Sequence, residues 1–425
     1  MKCSVITLGC KVNAYESEYI KENFRNDGYE IVGIDDNPDV VVINTCTVTN
    51  QSDAKSRHMI RLAKKKNNNA IIVVCGCASE HHKDNIVDTD IDILIGNYNK
   101  SKIVEYVNQF KKDHKKINTF VNMRKVKFED MKINNFLNKT RAFVKIQDGC
   151  NNFCSYCIIP YMRGTIRSKD IFVCYEEIKE LVNNGYQEVV LTGIHTGSYG
   201  TGEDYDLVDL IRRISTLDKL KRIRISSIEI TELNDKFMEE LKVNKKICNH
   251  LHVPIQSGSN HILKLMNRKY NINEFINIIN KIRNIRPDIN ITTDLIVGFP
   301  HETDEDFNET INNLKKIGFS KIHTFPYSKR DNTPAANMEQ VKDSIKKERV
   351  DVILKISDEL ENIYYNKFLG KDIEVLVEES YKDKSIGHTD NYLKVIINKE
   401  IPHNTFCKVK VKKIENLCVI ADDII

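Results

Sequence analysis

The sequence predicts an α/β protein in three parts: a small N-terminal doubly wound domain, a central partial (β/α)6 barrel and a C-terminal all-β domain. Three observations carry this expectation. Short apolar runs alternate with helical patterns through about the first 110 residues, and six more strand–helix repeats follow over about 190. From Lys371 onward, short strands follow one another with no helix between them. The first two patterns belong to parallel sheets covered by helices, and the third to a small β-barrel or sandwich. At 425 residues the chain is also too long for one ordinary core.

Within the first part, KCSVITL, PDVVVINT, AIIVVC and IDILIG read as strands. Helices are expected from Tyr15 to Arg25, from about Asp53 to Lys66, and from Ile103 to Phe110. In the barrel the candidate strands are RAFVKI, EVVLT, RIRISS, HLHVPI, NITTDLIV and KIHTF. Helical patterns separate them near 174–184, 206–216, 232–242, 258–266, 273–284 and 304–316. Six repeats suit an open barrel better than the eight of a full TIM barrel. Residues 336–366 read as a polar helical connector, and DIEVLVEE, YLKVIIN, TFCKVKVKK and LCVIAD as the strands of the tail. The expected division is 1–112, a basic linker at 113–138, the barrel with its connector at 139–366, and the β-domain at 367–425.

Hydrophobic content of 41% with 29% charged residues describes a globular protein. The N-terminus lacks the apolar core of a signal peptide, and no run approaches the ~18 apolar residues of a membrane span. A cytoplasmic protein with no membrane partner is expected, and a monomer. The net charge of +4 says little, but residues 111–141 hold about ten Lys/Arg against three acids. That stretch reads equally as a solvated linker or an RNA-facing segment.

Twelve cysteines in such a chain are not a disulfide framework, so clustered ones are read as metal ligands or catalytic groups. Cys150, Cys154 and Cys157 lie in DGCNNFCSYCIIPYMRG, spaced C-x3-C-x2-C directly after the first barrel strand. Three thiolates on one tight loop can hold three corners of a cubane [4Fe–4S] cluster and leave one iron open. Structural zinc needs four ligands at a closed site, and no ligand follows at zinc-finger spacing. Cys10, Cys46 and Cys77 are far apart in sequence, yet each follows a predicted strand of the N-terminal domain. In a parallel sheet those strand ends share one rim, so three thiols can converge there. Cys75 belongs inside its strand and is read as core. Cys3, Cys174, Cys248, Cys407 and Cys418 are assigned to packing.

The loop C-x3-C-x-Tyr-C resembles the radical S-adenosylmethionine (AdoMet) superfamily. That resemblance implies that Cys150, Cys154 and Cys157 ligate a cluster whose open iron binds AdoMet, that reduction releases an adenosyl radical, and that Tyr156 lies near the adenine. With the three N-terminal cysteines and the final β-domain, the whole chain resembles the methylthiotransferase family, whose last domain is the RNA-binding TRAM domain. Membership implies a second [4Fe–4S] cluster at Cys10, Cys46 and Cys77, carrying the sulfur to be inserted. AdoMet then serves as both methyl donor and radical source. Family branches modify threonylcarbamoyladenosine or isopentenyladenosine in tRNA, or an aspartate of a ribosomal protein. TLGCKVNAYES, LTGIHTGSYG, RISSIE and FPYSKRDNTPAA are similar to the threonylcarbamoyl branch. The implied partners are the anticodon arm of tRNA, an electron donor such as flavodoxin or ferredoxin, and a sulfur source.

Several further residues are candidate contacts. Thr192-Gly193-Ile194 stands where many radical AdoMet enzymes have Gly-Gly-Glu, a departure this family shares. Ser226, Ser227 and Glu229 close a strand at a position suited to ribose hydroxyls. Gln256 is placed to contact AdoMet, while Ser259 reads as a helix cap. Gly298 reads equally as a barrel turn or an AdoMet loop, and Thr303 with Asp306 as a capping box. Lys408, Lys410, Lys412 and Lys413 are a solvated strand edge taken alone, and candidate phosphate contacts beside an RNA-modifying enzyme. The rival from another class is a zinc-bearing RNA-binding protein without activity.

Overall fold

The computed structural model describes residues 1–83, 91–136 and 139–421. The last two residues of the expected linker and the last four of the expected β-domain therefore lie outside the described residues. The N-terminal part is a six-stranded sheet of β1 (Lys2–Thr7), β2 (Glu30–Ile31), β3 (Val40–Thr45), β4 (Ile71–Gly76), β5 (Ile93–Ile95) and β6 (Ile117–Thr119). All pairs are parallel, in the order β2-β1-β3-β4-β5-β6. Helices α1 (Lys11–Asn26), α2 (Asn50–Lys66), α3 (Cys77–His81) and α4 (Ile103–Asp113) lie between the strands. Strand β3 is buried at every residue, and so its sequence is a continuous apolar run and not an alternation. Strand β6 falls within the basic stretch, and Met131, Ile133 and Phe136 of that stretch are buried in the barrel core.

The barrel strands are β7 (Arg141–Lys145), β10 (Glu188–Thr192), β11 (Arg222–Ile225), β12 (His250–His252), β13 (Asn290–Val297) and β14 (Lys321–Pro326). A short hairpin, β8 (Gln147–Asp148) with β9 (Arg167–Ser168), follows the first of them. Parallel pairing joins β7-β10-β11 and β12-β13-β14, and bridges at Ile223–Ile247 and Ser227–His252 connect the two halves into one open arc. Helices α5 (Ile159–Arg163), α6 (Ile171–Asn183), α7 (Leu207–Ser215), α8 (Asp235–Val243), α9 (Asn260–Leu265), α10 (Ile272–Ile285) and α11 (Asp304–Ile317) lie between the strands. The chain then enters the long α12 (Asp343–Asn366). Thr303 and Asp306 form the expected capping box of α11. Ser259 occupies the N-cap of α9, but its hydroxyl donates to Asp306 Oδ1 (2.6 Å) and accepts from no N–H of its own helix among the described residues.

The last part is a six-stranded sheet of β15 (Asp372–Tyr381), β16 (Lys384–Thr389), β17 (Lys394–Ile397), β18 (Phe406–Lys410), β19 (Lys413–Glu415) and β20 (Cys418–Ala421), antiparallel except for β17 with β20. Arg222 Nη1 donates to His388 O (3.1 Å), Arg224 Nη1 to Asp390 O (3.1 Å), and Arg141 pairs with Glu378 (3.0 Å). These contacts seat the sheet against the starts of the barrel strands.

Helix α1 explains how the N-terminal sheet is held. Its buried residues include Asn13, Glu16, Ser17 and Glu18 as well as Val12, Tyr15, Ile20 and Phe24. A helix with polar groups buried on one side and apolar groups on the other is covered on both faces. Tyr15 reaches into the barrel core, its hydroxyl meeting Met131 O (2.6 Å) and Glu177 Oε1 (2.7 Å). On the far side, Arg330 after β14 pairs with Asp53 of α2 (2.6 Å). The N-terminal sheet thus lies over the gap between the first and last barrel strands.

Candidate functional site

The cysteine loop leaves the barrel after β8. Gly149, with φ +75°, opens it, and a Cβ there would lie 2.0 Å from the Thr165 carbonyl oxygen, so the turn requires glycine. The Cys157 amide donates to Cys154 O (3.0 Å), and Ser155 is held between Met266 O (3.0 Å) and the Ala335 amide (2.8 Å). Arg268 places Nη1 3.3 Å from Cys154 Sγ and ion-pairs through its other end with Glu229. His195 Nε2 lies 2.7 Å from Glu232 Oε1. Burial disfavours its charge, but hydrogen bonds with Cys150 and Glu232 raise its pKa to about 10. Burial, with Cys154 and Cys150 alongside, pushes the Cys157 thiol up to about 12.

Cys10, Cys46 and Cys77 follow the C-terminal ends of β1, β3 and β4, which are adjacent in the sheet. Cys10 caps α1 and Cys77 is the first residue of α3. Gly9, with φ +98°, is where the loops meet: a Cβ on it would lie 2.7 Å from Cys46 Sγ. Burial raises the Cys10 and Cys46 thiols, and each is raised further by Cys77. Cys10 is reached by solvent although protein encloses it on most sides. Cys75 lies in the N-terminal core, where burial pushes it to about 12, as its reading as a packing residue requires.

A buried charge network joins the two sites. Glu16 of α1 pairs with Lys145 (2.7 Å), Arg163 (3.2 Å) and Lys100, and Asp148 with Lys145 (2.8 Å), Arg163 (3.0 Å) and Arg167 (3.3 Å). Arg163, at the end of the cysteine loop, also donates through Nη2 to Asn13 Oδ1 (2.7 Å), the oxygen that faces Cys10 Sγ at 3.9 Å. Two carboxylates are thus paired with four cations. The Arg163 charge opposes the burial that raises Cys10, and the thiols of Cys77 and Cys10 in turn add to the forces raising Arg163.

Beside the cysteine loop is a cavity of about 250 Å³ lined by Tyr156, Cys157, Gln256, Asp294, Ile296 and Phe325, and roofed by Val48 and Thr49 of the N-terminal part. Tyr156 and Gln256 are therefore brought together with Cys157. Tyr156 stacks edge-on against Phe299 (6.3 Å). Glu229 lies instead with Cys154 and Arg268. Thr192 is buried, its hydroxyl on Val190 O (3.2 Å), and Gly193 packs against Gln147. Ser227 bridges to His252, and Gly298 lies against Lys346 of α12; these four stand outside the cavity lining. Lys408 and Lys410 are exposed on the edge strand β18, opposite Glu374 and Asp372 of β15. Lys412 is exposed, and Lys413 pairs with Glu415 (2.8 Å). A larger cavity, about 760 Å³, is an open groove between β14 and α12 lined by Lys329, Lys342, Lys346 and Lys347, and no cysteine lines it.

The residues present fit two iron–sulfur clusters. Each site offers three thiols, the donor set of a cubane with one free corner. The buried Arg163 guanidinium near Cys10 suits a ligand set that is anionic once the thiols ionise, and among the described residues its Nε has no partner. Among the described residues, only Asp53, His81 and His82 bring three ligand atoms within 4.8 Å of one another, and there Arg330 already holds the carboxylate. Neither cysteine triad is gathered to clasp a single ion as structural zinc is. Arg163, Arg268 and His195 are the residues that sequence reasoning passed over. Arg163 ends the quoted cysteine segment, and that proximity was the available signal.

Comparison with known proteins places these features. Residues 144–314 match the radical SAM superfamily, and residues 2–96 the uncharacterised protein family UPF0004. The threonylcarbamoyladenosine tRNA methylthiotransferase MtaB of Bacillus subtilis is 44% identical over 400 residues, 92% of this chain and 89% of that protein. Its counterpart from Thermotoga maritima is 38% identical over 91% and 89%. The tRNA-2-methylthio-N6-dimethylallyladenosine synthase of Clostridium tetani is 36% identical over 90% and 87%. Among solved structures, the radical AdoMet methyltransferase TsrM of Kitasatospora setae superposes with a TM-score of 0.59 at 14% identity, covering 79% of this chain and 76% of that one. It is a likeness of fold.

Proposed function

The chain belongs to the radical AdoMet methylthiotransferase family, and on that premise we propose that Cys10, Cys46 and Cys77 hold one [4Fe–4S] cluster and Cys150, Cys154 and Cys157 another. The reaction is methylthiolation at C2 of N6-threonylcarbamoyladenosine beside the anticodon of tRNA, giving the 2-methylthio nucleoside. When bound, the clusters and AdoMet supply what no side chain can: a one-electron route into an unactivated C–H bond, a methyl group and sulfur.

The chain's own residues hold and orient these groups. Tyr156 and Gln256 shape the AdoMet cavity beside Cys157, and Val48 and Thr49 form part of its roof. Arg268 donates to Cys154 Sγ and is kept in place by Glu229. Because burial keeps the Cys10, Cys46 and Cys157 thiols protonated in the metal-free chain, loading either site releases protons. The 367–425 domain and the basic 113–138 segment hold the anticodon arm, whose unstacked loop base can enter a protein pocket. A flavodoxin- or ferredoxin-like electron donor and a sulfur source complete the system, which works as a monomer in the cytoplasm. No helix among the described residues is long and apolar enough to cross a membrane.

The observation that carries this reading is the convergence of three thiols on one rim of the sheet that covers the barrel opening, joined through Arg163 to the cysteine loop. The test is product analysis: bulk tRNA is incubated with the anaerobically reconstituted protein, AdoMet and reductant, and its nucleosides are analysed by mass spectrometry. The expected product is 2-methylthio-N6-threonylcarbamoyladenosine. A methylthio group appearing only on isopentenyladenosine, or only on a ribosomal protein, overturns the substrate assignment.

A further inference from the structure

A second cavity, about 420 Å³, occupies the barrel lumen. Its wall includes Arg224, His252, Thr292 and His323 from successive barrel strands, Tyr392 from the turn between β16 and β17, and Lys11 from the start of α1. It adjoins the cavity beside Cys157: Asp294 lines that one, and its carboxylate lies 3.3 Å from His252 Nε2 in this one. Lys11 directly follows Cys10. The lumen therefore reaches the residue next to Cys10 on one side and adjoins the cavity beside Cys157 on another.

The charges of this lumen are mostly spoken for. Arg224 pairs with Glu188 (2.7 Å) and lies over the Tyr392 ring (4.6 Å). Lys321 pairs with Glu361, and Asp294 faces His252. Lys11 is different. Among the described residues its ammonium has no ion-pair or hydrogen-bond partner, and it is open to solvent on the cavity side. Tyr392, Arg224, Arg141 and the Asp294 carboxylate are titratable and charged groups around it. The one carboxylate among them, Asp294, already faces His252, so Lys11 is left to receive an anion from a ligand.

We propose that this cavity receives the N6 substituent of the target adenosine and that Lys11 pairs with its carboxylate. The inference rests on the threonylcarbamoyl reading above, since that substituent ends in an amino-acid carboxylate and a dimethylallyl group carries no charge. A volume of 420 Å³ falls in the ordinary range for a small-molecule site.

The test uses the reconstituted full-length protein and anticodon hairpins carrying threonylcarbamoyladenosine, its carboxylate methyl ester, or unmodified adenosine. Wild-type protein should bind and turn over the free-acid hairpin about 10- to 100-fold better than the ester, the size of one charge-assisted contact. Lys11→Met should erase that difference through KM, and Lys11→Arg should restore part of it. Equal use of acid and ester by the wild type overturns the proposal whatever the variants do. Equal weakening on all three hairpins by Lys11→Met, at unchanged iron content, assigns the lysine to backbone phosphate and also overturns it. Failure of the wild type to methylthiolate the free-acid hairpin at all instead removes the substrate reading beneath it.

Discussion

Asp53 and Arg330 show how much one contact across the barrel gap contributes. Arg330 Nη1 lies 2.6 Å from Asp53 Oδ2, and Arg330 Nε donates to Val48 O (3.2 Å), one of the residues roofing the cavity beside Cys157. Burial works against the Asp53 charge, but His82 at 3.4 Å, Thr47 and the Arg330 guanidinium alongside lower its pKa from 3.8 to about 2. A carboxyl whose folded value is depressed stabilises the fold fully above its unfolded value. That contribution is lost as pH falls through the folded value. It amounts here to about 2 kcal/mol at neutral pH, disappearing between about pH 4 and pH 2. Melting curves of wild type and Asp53→Asn should therefore converge over that interval; a constant gap in melting temperature down to pH 2 would show that the pair does not do this.

At the scale of elements, α1 is the decisive one, because it carries Cys10 and Lys11 at its start and Glu16 in its middle. Glu16 accepts from three buried cations, and its carboxyl is held well below the usual range despite burial, with Arg163, Lys100 and Lys145 responsible. Glu16→Gln leaves those cations short of an anion and should cost about 3–5 kcal/mol in denaturant unfolding, as breaking a buried pair does. A loss under about 1 kcal/mol would mean the network is not coupled to folding. The strands were legible where burial on two faces writes a continuous apolar run: NITTDLIV is expected and found as β13. Strands β6 and β16 were not, because INT is too short and KSIGHT too polar to stand out from a turn. The N-terminal cysteine triad was legible because each of its thiols follows a strand, and the other because its three thiols are spaced C-x3-C-x2-C on one loop. What α1 does was hidden, since Glu16 and Lys11 look like surface charges until the barrel is placed against them.

The whole molecule is an open barrel whose gap is covered by a second α/β sheet, with a β-sheet seated at the strand starts. This arrangement sets Lys11, beside Cys10, on the wall of the lumen and keeps Arg163 and Glu16 out of water between the two thiol sites. Two sites with three thiols each set this chain apart from a protein that carries a single AdoMet-binding cluster. The most direct measurement is iron and acid-labile sulfide per chain after anaerobic reconstitution, for wild type, the Cys10/Cys46/Cys77→Ala triple variant and the Cys150/Cys154/Cys157→Ala triple variant. About eight irons in the wild type and about four in each variant are expected from two cubane sites. About four irons in the wild type, unchanged when Cys10, Cys46 and Cys77 are replaced, would contradict the second site and with it the methylthiotransfer mechanism.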